Sequence, residues 1–414
     1  MRICFITDLP VWSLGDGKGA PSFYNTIKIY NDKGDKVTLL TTEKNLHLSD
    51  LENVTVVEMN HIEVTHNRAF WGVFRLIHKY CVYFFQQRSG YRYLKQYAEL
   101  SDIVYAYEIG FVPAVEKFSK HYHKRWVSRF QGTILTDLVQ HASWFRKIKL
   151  RMQFVDHLTA LKARSDLTIM TDDGTRGNQV LALVRGTSDS SVSFWKNGVD
   201  FPEVNELSVS AYRKNHNDGD IIFCSLSRIQ KWKRLDRSLD IFEAFHKVYP
   251  NSHYYVIGDG EALLSVQKLA SVMGLSGVVS FMGALQKPQI YQLLQDSKYF
   301  LSSYELSNLG NPLFEAICCS AIVATLDNGA TGEIIVDQHT GIISQEESYL
   351  DNATKLIALE HDKVLQNRLL ISATEKCKSV MDTWARRMEM EYSTLVNILN
   401  DPQSERKNRM ENLR

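Results

Sequence analysis

Residues 300–325 read FLSSYELSNLGNPLFEAICCSAIVAT. A strand-like run at 298–302 enters a polar, glycine-containing loop, and the loop opens a helix near Pro312, with Glu315 placed in its first turn. Proline suits a first helical turn, where its missing N–H would have no acceptor. Free backbone N–H groups and the helix dipole at such a start favour a phosphate. A carboxylate one turn in cannot bind phosphate, but it accepts hydrogen bonds from sugar hydroxyls. Two readings stand side by side: a nucleotide-sugar site with diphosphate on the amides and ribose on Glu315, or a buried loop with a capping glutamate.

Outward from this stretch, short apolar runs alternate with helical patterns. In the second half, IIFCSL (221–226) precedes a helix with Leu235, Leu239, Phe242 and Phe245 on one stripe, and YYVIG (254–258) precedes a helix at 261–273. Strands are expected at 278–281, 298–302 and 321–325, and helices at 288–295, 312–319 and 331–337. The first half predicts strands at 2–7, 37–41, 54–58, 102–106, 126–130, 167–170 and 191–194, with helices at 20–32, 70–97, 111–119, 137–162 and 176–185. Such alternation predicts mostly parallel sheets covered by helices. The expected organisation is a Rossmann-like domain over 1–205, a polar linker at 206–218 and a second Rossmann-like domain over 219–381. A helix at 382–400 follows, then a charged tail at 401–414.

A chain of 414 residues is long enough for two such domains. With 48 Lys plus Arg against 47 Asp plus Glu, bulk charge selects no partner, and nucleic acid is not expected to be one. Charge is nonetheless uneven: 121–151 holds Lys124, Arg125, Arg129, Arg146, Lys147, Lys149 and Arg151 against Asp137 alone, which predicts a basic face. The six cysteines have no metal-site spacing and read as reduced, mostly buried thiols of a cytoplasmic protein. MRICFITDLP is too short an apolar run for a signal peptide, and no run of 18 apolar residues suggests a membrane span.

Two sets of residues carry candidate chemistry. In SRIQKWKR (227–234), Arg228 and Lys233 lie five apart in a strand-to-helix loop, a guanidinium fork and a mobile ammonium suited to a diphosphate leaving group. A solvated basic loop is the alternative. Asp172 and Asp173 in TDDGT either cap the helix from 176 or face the cleft. No His or carboxylate cluster has metal-ligand spacing, so no cofactor and no essential metal are expected, the basic residues neutralising the diphosphate instead.

With these residues in view, the chain resembles the retaining glycosyltransferases of family 4, whose GT-B fold sets two Rossmann-like domains across a cleft. Arg228 and Lys233 match the family's basic pair, and KNGVDF (196–201) matches its Asn-Gly-Val-Asp motif. Gly258 and Gly260 match a Gly-x-Gly turn, Phe281 and Gly283 a Phe-x-Gly at the base pocket, and Glu315–Ala316 the second part of a Glu-x7-Glu-Ala signature. DNGATGEIIVDQHTGII (327–343), with Gly329, Glu333 and Gly341, and Trp384 before the last helix also follow the family. The resemblance covers roughly 1–400 and is most specific in the second half.

Three departures stand out. The first signature Glu is Ser307, with Glu305 two residues out of register; the family's His-Gly after the fifth strand is Gln131–Gly132; and its Gly-Gly before the first helix is Gly19–Ala20 in LGDGKGAPS. The resemblance implies transfer with retention, assisted by Arg228, Lys233 and Gln131. Gly19, Gly258, Phe281, Gly283, Ser307, Asn308, Leu309, Gly310 and Glu315 would hold the donor, the 308–310 amides facing phosphate and sugar, and Asp16, Lys18 and Asn197 would lie on the acceptor side. Glu333 has both a helix-start reading and a donor-side one.

The implied reaction moves a hexosyl or N-acetylhexosaminyl group from a UDP-sugar, with a GDP-sugar second, to a glycan hydroxyl, lipid-linked or not. A non-catalytic nucleotide-sugar-binding protein and a natural-product glycosyltransferase are the rival readings. Segment 69–97, rich in aromatics with Arg75, Lys79, Arg88, Arg92 and Lys95, is either a long helix on the sheet or a hairpin at an anionic membrane surface, on the inner face of the cytoplasmic membrane.

Overall fold

Alternate residues of the first strand, β1 (Arg2–Thr7), enter opposite cores. Cys4 and Ile6 pack with Val104, Val115 and Phe118, while Ile3 and Phe5 pack with Ile27, Tyr30 and Tyr105. A parallel sheet needs this double burial, because its crossover helices cover both faces. The computed structural model describes residues 1–9, 21–44, 46, 48–60, 73–139, 143–186, 189, 191–200 and 219–401. The expected linker 206–218 and the tail from 402 lie outside these described residues, as do Gly15, Asp16, Gly17, Lys18 and Gly19.

β1 pairs in parallel with β2 (Lys36–Thr41), Ile3 opposite Val37, and with β4 (Ile103–Tyr107), Ile3 opposite Ile103. With β3 (Val54–Glu58), β5 (Arg125–Phe130), β6 (Leu167–Thr171) and β7 (Val192–Trp195), they form a seven-stranded sheet of order β3-β2-β1-β4-β5-β6-β7. Helices α1 (Pro21–Asp32), α2 (Val73–Tyr97), α3 (Val112–Tyr122), α4 (Trp144–Gln153), α5 (Val155–Lys162) and α6 (Gly177–Arg185) connect them.

A second sheet repeats the plan. β8 (Ile221–Leu226), β9 (Ser252–Ile257), β10 (Val279–Gly283), β11 (Tyr299–Ser302), β12 (Ile322–Leu326) and β13 (Ile342–Ser344) lie in the order β10-β9-β8-β11-β12-β13. Its helices are α7 (Leu235–His246), α8 (Leu263–Val272), α9 (Lys287–Asp296), α10 (Asn311–Cys318), α11 (Asp351–Leu359) and α12 (Lys363–Val380). Each sheet reverses its winding once, between β1 and β4 and between β8 and β11. Ligands of open α/β sheets bind beyond the carboxyl ends of strands at such switch points.

After α12 the chain crosses back. Helix α13 (Trp384–Asn400) starts under an N-cap from Thr383 and buries Leu395 in the first sheet's core beside Tyr30. Gly198, at the end of the first sheet, lies so close that a Cβ there would meet the Trp384 Cα at 2.6 Å.

Two expectations change, and one strand is added. The helix expected over 137–162 is a 3-10 turn (Thr136–Leu138) followed by α4 and α5, with Ser143 capping α4 and Phe154 leaving helical geometry between them. The helix expected over 331–337 is a single 3-10 turn, Thr331–Glu333, because Thr340 Oγ1 takes the Val336 amide at 2.8 Å and turns the chain. β13 is three residues long, too short for its alternation to show in the sequence.

The basic face over 121–151 also contracts. Arg129 is completely buried, and Arg125 pairs with Asp166 at 2.7 Å. The basic surface that remains is α4, which buries none of its residues. Segment 69–97 is, from residue 73, one helix packed on α3 and not a hairpin. The six cysteines are free thiols, with Cys4, Cys224, Cys319 and Cys377 buried. Among the described residues, no helix is long and apolar enough to cross a membrane.

Candidate active site

The second sheet supplies a basic lip. β8 ends at Leu226, and the chain turns through Ser227, Arg228 and Ile229 against the glycine turn that follows β9. A Cβ at Gly258 (φ 129°) would lie 1.9 Å from the Ser227 carbonyl oxygen, and one at Gly260 (φ 156°) 2.4 Å from that of Ile229. Only glycine lets these backbones close, and the Ile229 amide then donates to the Asp259 carbonyl at 2.8 Å. Gly258 also donates to Gly283 at 2.8 Å, which draws the end of β10, with half-buried Phe281, to the same edge.

Two cationic side chains on this lip stand apart from Arg234, which pairs with Asp236 and Glu305. Arg228 is exposed and Lys233 half-buried, and neither makes an ion pair among the described residues. The Lys233 ammonium sits over the rings of Tyr304 at 3.5 Å and Trp232 at 3.9 Å. Burial pushes its pKa down to about 7, with Asp173 opposing the shift and Arg228 adding to it.

The 303–310 loop is held from within. Asn308, fully buried, accepts from Ser302 Oγ at 2.6 Å and from the Tyr304 amide at 3.0 Å, and donates to Asn328 Oδ1 at 2.9 Å. Its own amide goes to Thr331 Oγ1 and that of Leu309 to Ser307 Oγ. These two amides, expected to face phosphate, are therefore already occupied. Gly310 and Asn311 keep amides with no side-chain acceptor among the described residues. Glu315 is buried in the second turn of α10, not the first, 3.5 Å from Lys287 Nζ. Lys287 also holds Asp200 at 2.9 Å. Burial pushes the Glu315 pKa up, and Lys287 opposes the shift.

The first sheet faces this loop with a polar wall. Gln131, just past β5, donates to Tyr107 OH at 2.6 Å and Ser22 Oγ at 2.7 Å, and accepts from Asn197 Nδ2 at 3.0 Å. Asn197 reaches across to Asn311 Oδ1 at 3.3 Å, and Asn311 returns a bond to the Gly198 carbonyl at 2.8 Å. Asp172 pairs with Lys196. Asp173 accepts from the Thr175 hydroxyl at 2.6 Å, and burial pushes its pKa up to about 6. Neither aspartate caps α6, whose N-cap is Arg176 in a left-handed conformation.

Between wall and loop lies a cavity of about 160 Å³ lined by Gln131, Thr171, Asp172, Asp173, Lys196, Asn197, Leu309, Gly310, Asn311, Phe314 and Met381. It is smaller than the ~300–1,000 Å³ of a typical small-molecule site, so it suits one part of a ligand. The structure thus brings Gln131, Asn197, Leu309 and Gly310 together. Arg228, Lys233, Gly258, Phe281, Gly283, Ser307, Asn308 and Glu315 lie outside its lining. Glu333 is exposed. Asp172 and Asp173 take the cleft-facing one of their two readings, while Lys196 and Asn311 are lining residues that sequence reasoning did not place here. Glu108 also escaped it: at the end of β4 it takes a φ of 67°, and its carboxylate accepts from the Gln131 amide at 2.7 Å. A non-glycine residue held there is a local signal only coordinates reveal. Among the described residues, no group of three or more His, Cys, Asp or Glu is arranged to hold a metal ion.

Comparison with known proteins agrees with this geometry. Residues 210–376 match the family described as glycosyl transferases group 1. An uncharacterized glycosyltransferase of Methanocaldococcus jannaschii is 24% identical over 222 residues, 51% of this chain and 55% of that protein. The alpha-monoglucosyldiacylglycerol synthase of Acholeplasma laidlawii is 22% identical over 173 residues, 42% of this chain and 43% of that protein. The chain spans about half the length of the curated relatives it matches. The structure of Anabaena HepE in complex with UDP and glucose superposes with a TM-score of 0.70 at 15% identity, over 96% of this chain and 100% of that one. That likeness is one of fold: two Rossmann-like sheets facing across a cleft.

Proposed function

We propose that this chain, whose fold is GT-B and whose segment 210–376 matches the group 1 glycosyl transferases, is a retaining glycosyltransferase. It moves a hexosyl or N-acetylhexosaminyl group from a nucleoside-diphosphate sugar, UDP-linked in the first instance, to a hydroxyl of a glycan or lipid-linked glycan. Its lobes are 1–205 and 219–381, and donor and acceptor meet between them.

The observation that carries this reading is the pair Arg228 and Lys233 at the mouth of β8, two basic side chains that make no ion pair among the described residues, beside a switch point. A diphosphate supplies the missing charge. As the glycosidic bond breaks, negative charge grows on the phosphate oxygen, and cations already in place stabilise it without reorganising. Gly310 and Asn311 offer amides at the start of α10, where the helix dipole adds to the effect. The polar cavity beside them takes the sugar, with Gln131 and Asn197 as hydrogen-bonding groups. The acceptor hydroxyl enters from the face that the diphosphate leaves, and a phosphate oxygen takes its proton. The contacts between the lobes exclude water that would otherwise hydrolyse the donor.

A thermal-shift panel of UDP-, GDP-, ADP- and TDP-sugars tests the donor, since a ligand that binds only the folded chain stabilises it. UDP-sugars are expected to raise the melting temperature in the wild type and not in R228A/K233A. Binding with neither donor hydrolysis nor transfer would make the chain a nucleotide-sugar binder.

The acceptor side carries a surface suited to anionic lipid. On α4, Trp144 (62% exposed), Phe145 (67%), Ile148 and Met152 share a face, interleaved with Arg146, Lys147, Lys149 and Arg151. Tyr80 of α2 bonds the Met152 carbonyl, and α2 itself exposes Phe84 and Phe85. Aromatic and basic residues presented together suit the headgroup boundary, each cation adding about 1 kcal/mol near an anionic surface. This supports a cytoplasmic protein peripheral to the membrane. Flotation with anionic vesicles at low salt should carry the wild type and leave W144A/F145A behind. No wild-type protein in the lipid fraction would favour a soluble acceptor.

A further inference from the structure

Arg129, Glu391 and Arg387 are buried to within 2% of complete, two guanidiniums against one carboxylate. Arg129 Nη1 donates to Glu391 Oε2 at 3.0 Å and Thr26 Oγ1 at 2.6 Å, and Arg387 Nη1 lies 3.0 Å from the same carboxylate oxygen. Glu391 Oε1 accepts from Tyr105 OH at 2.6 Å. Burial would push the Glu391 pKa up, but Arg129 and Arg387 hold it below the usual glutamate value. Such a cluster is poor value as a source of stability, because desolvating three charges offsets most of their attraction. What it does supply is orientation.

Arg129 has a second arm, and that arm points to the cavity. Its Nη2 donates to Ser22 Oγ at 3.0 Å and to Asn197 Oδ1 at 3.1 Å. A guanidinium keeps its protons, so it can only donate. Asn197 must therefore turn its oxygen inward, and its Nδ2 is forced outward to Gln131 Oε1 and, across the cleft, to Asn311 Oδ1. Ser22, held by the same arm, accepts from Gln131 Nε2 at 2.7 Å. One buried cation thus fixes both amides that overlook the cavity, and Glu391 of α13 fixes the cation.

We infer that Glu391, Arg129, Asn197 and Asn311 form a positioning relay in which the seating of α13 sets the amides over the cavity and the clasp between the two sheets. These are positioning residues: Glu391 and Arg129 act through Asn197. The inference rests on the glycosyltransferase reading only where turnover is measured.

Hydrogen exchange on the full chain tests it without turnover. E391Q keeps the side-chain shape but leaves the two guanidiniums unopposed. It should speed exchange of the α10 amides in the other lobe by roughly tenfold, the scale of coupling within one hydrogen-bond network. Y105F is the control: it removes a bond to Glu391 but leaves the Glu391 carboxylate against Arg129 and the Arg129 arm on Ser22 and Asn197, and should lower the melting temperature while α10 exchange stays as in the wild type. In turnover, E391Q should lower kcat with little change in donor KM. If the effect of E391Q on exchange stays within α1 and α13, the cluster is structural and the relay is wrong. If E391Q does not fold, N311A cuts the relay at its far end, and unchanged exchange at 196–200 together with unchanged kcat would overturn it. A wild type that turns over no nucleotide-sugar defeats the glycosyltransferase reading, while the exchange experiment still decides the relay.

Discussion

Ser307 Oγ donates to the carbonyl oxygen of Asp173 at 2.7 Å, so the residue at the position where the resemblance leads one to expect the first signature glutamate joins one lobe to the other. Its hydroxyl also accepts the Leu309 amide at 3.2 Å. The fit is close: a Cβ on Gly174 would meet Ser307 Oγ at 2.3 Å, and one on Gly329 would lie 2.4 Å from the Gly174 carbonyl oxygen. Two backbones approach here, and only a small neutral side chain fits between them.

This geometry separates three substitutions. S307A loses two neutral hydrogen bonds, one to the Asp173 carbonyl and one from the Leu309 amide, and transfer should fall by no more than about tenfold, equivalent to ~1.4 kcal/mol. S307E should lose far more, since a new carboxylate would be buried unpaired between the lobes. Glu305 lies on the surface, 3.3 Å from Arg234 Nη1, and E305A should leave transfer within about twofold, as loss of an exposed pair costs ~0–1 kcal/mol. Product formed from a radiolabelled donor reads all three. Loss of transfer in E305A alone would give Glu305 the role that Ser307 lacks.

Lys233 makes nucleotide binding sensitive to pH. Burial pushes its pKa down to about 7 from 10.5, so near neutrality the free protein holds this lysine partly uncharged. A bound diphosphate favours the ammonium, so binding should take up protons and weaken as pH rises above about 7. Folding stability should run the other way. Between pH 7 and 10.5 the unfolded chain keeps a proton that the folded one has released, so this contribution to stability rises with pH. Calorimetric titration with UDP in two buffers of different ionisation enthalpy measures the uptake. R228A should cost about 1.5–3 kcal/mol of affinity, as for hydrogen bonds to charged groups. K233M should abolish the uptake. Equal apparent enthalpies in the two buffers would show that Lys233 does not change charge on binding.

Both sheets were legible because their strands are continuous apolar runs separated by amphipathic helices, as IIFCSL and the Leu235–Phe245 stripe illustrate. The loop carrying Arg228 was legible too, since a basic pair five apart between a strand and a helix describes it locally. The polar wall was not. Arg129 reads as one more cation in a basic segment, and its partner Glu391 stands 262 positions away on a helix whose stripe speaks only for its apolar face. Asp172 and Asp173 resemble capping residues until Lys196 and Thr175 claim them. The amides of Asn308 and Leu309 looked available because the side chains that occupy them, Thr331 and Ser307, declare nothing in sequence.

Glu315 and Lys287 form a pair whose halves should fail differently. E315Q leaves Lys287 its bond to Asp200, so melting should change little, while nucleotide binding weakens if the carboxylate grips the ribose. K287M instead strands a buried carboxylate. The Glu315 pKa is already raised by burial and would rise further without the ammonium. A raised carboxylate pKa means the folded state holds the proton longer, so the destabilisation of K287M should grow from pH 5 to pH 8. Melting curves at the two pH values check this. A lower melting temperature for E315Q with normal UDP binding would make Glu315 structural.

Glu108 should make the protein less stable as pH rises. It sits at a φ of 67° at the end of β4, and the groups facing it are Asp8, Arg129, Asp173 and the Gln131 amide. Burial pushes its pKa up to about 8; the Gln131 amide and Arg129 oppose the shift, and Asp8 and Asp173 add to it. The folded value lies above the ordinary 4.5, so between pH 4.5 and 8 the folded state binds the extra proton. Stability from this group is therefore complete below pH 4.5, declines through that window and is lost above pH 8. E108Q removes the titration while keeping an oxygen for the Gln131 amide. The melting temperature of E108Q relative to wild type should rise steadily from pH 5 to pH 8 and then level off. The difference isolates Glu108, because the other titrating groups, Asp173 among them, are common to both proteins. Parallel curves for the two proteins across that range would show that Glu108 ionises as an ordinary surface carboxylate, and the positive φ would then need another explanation.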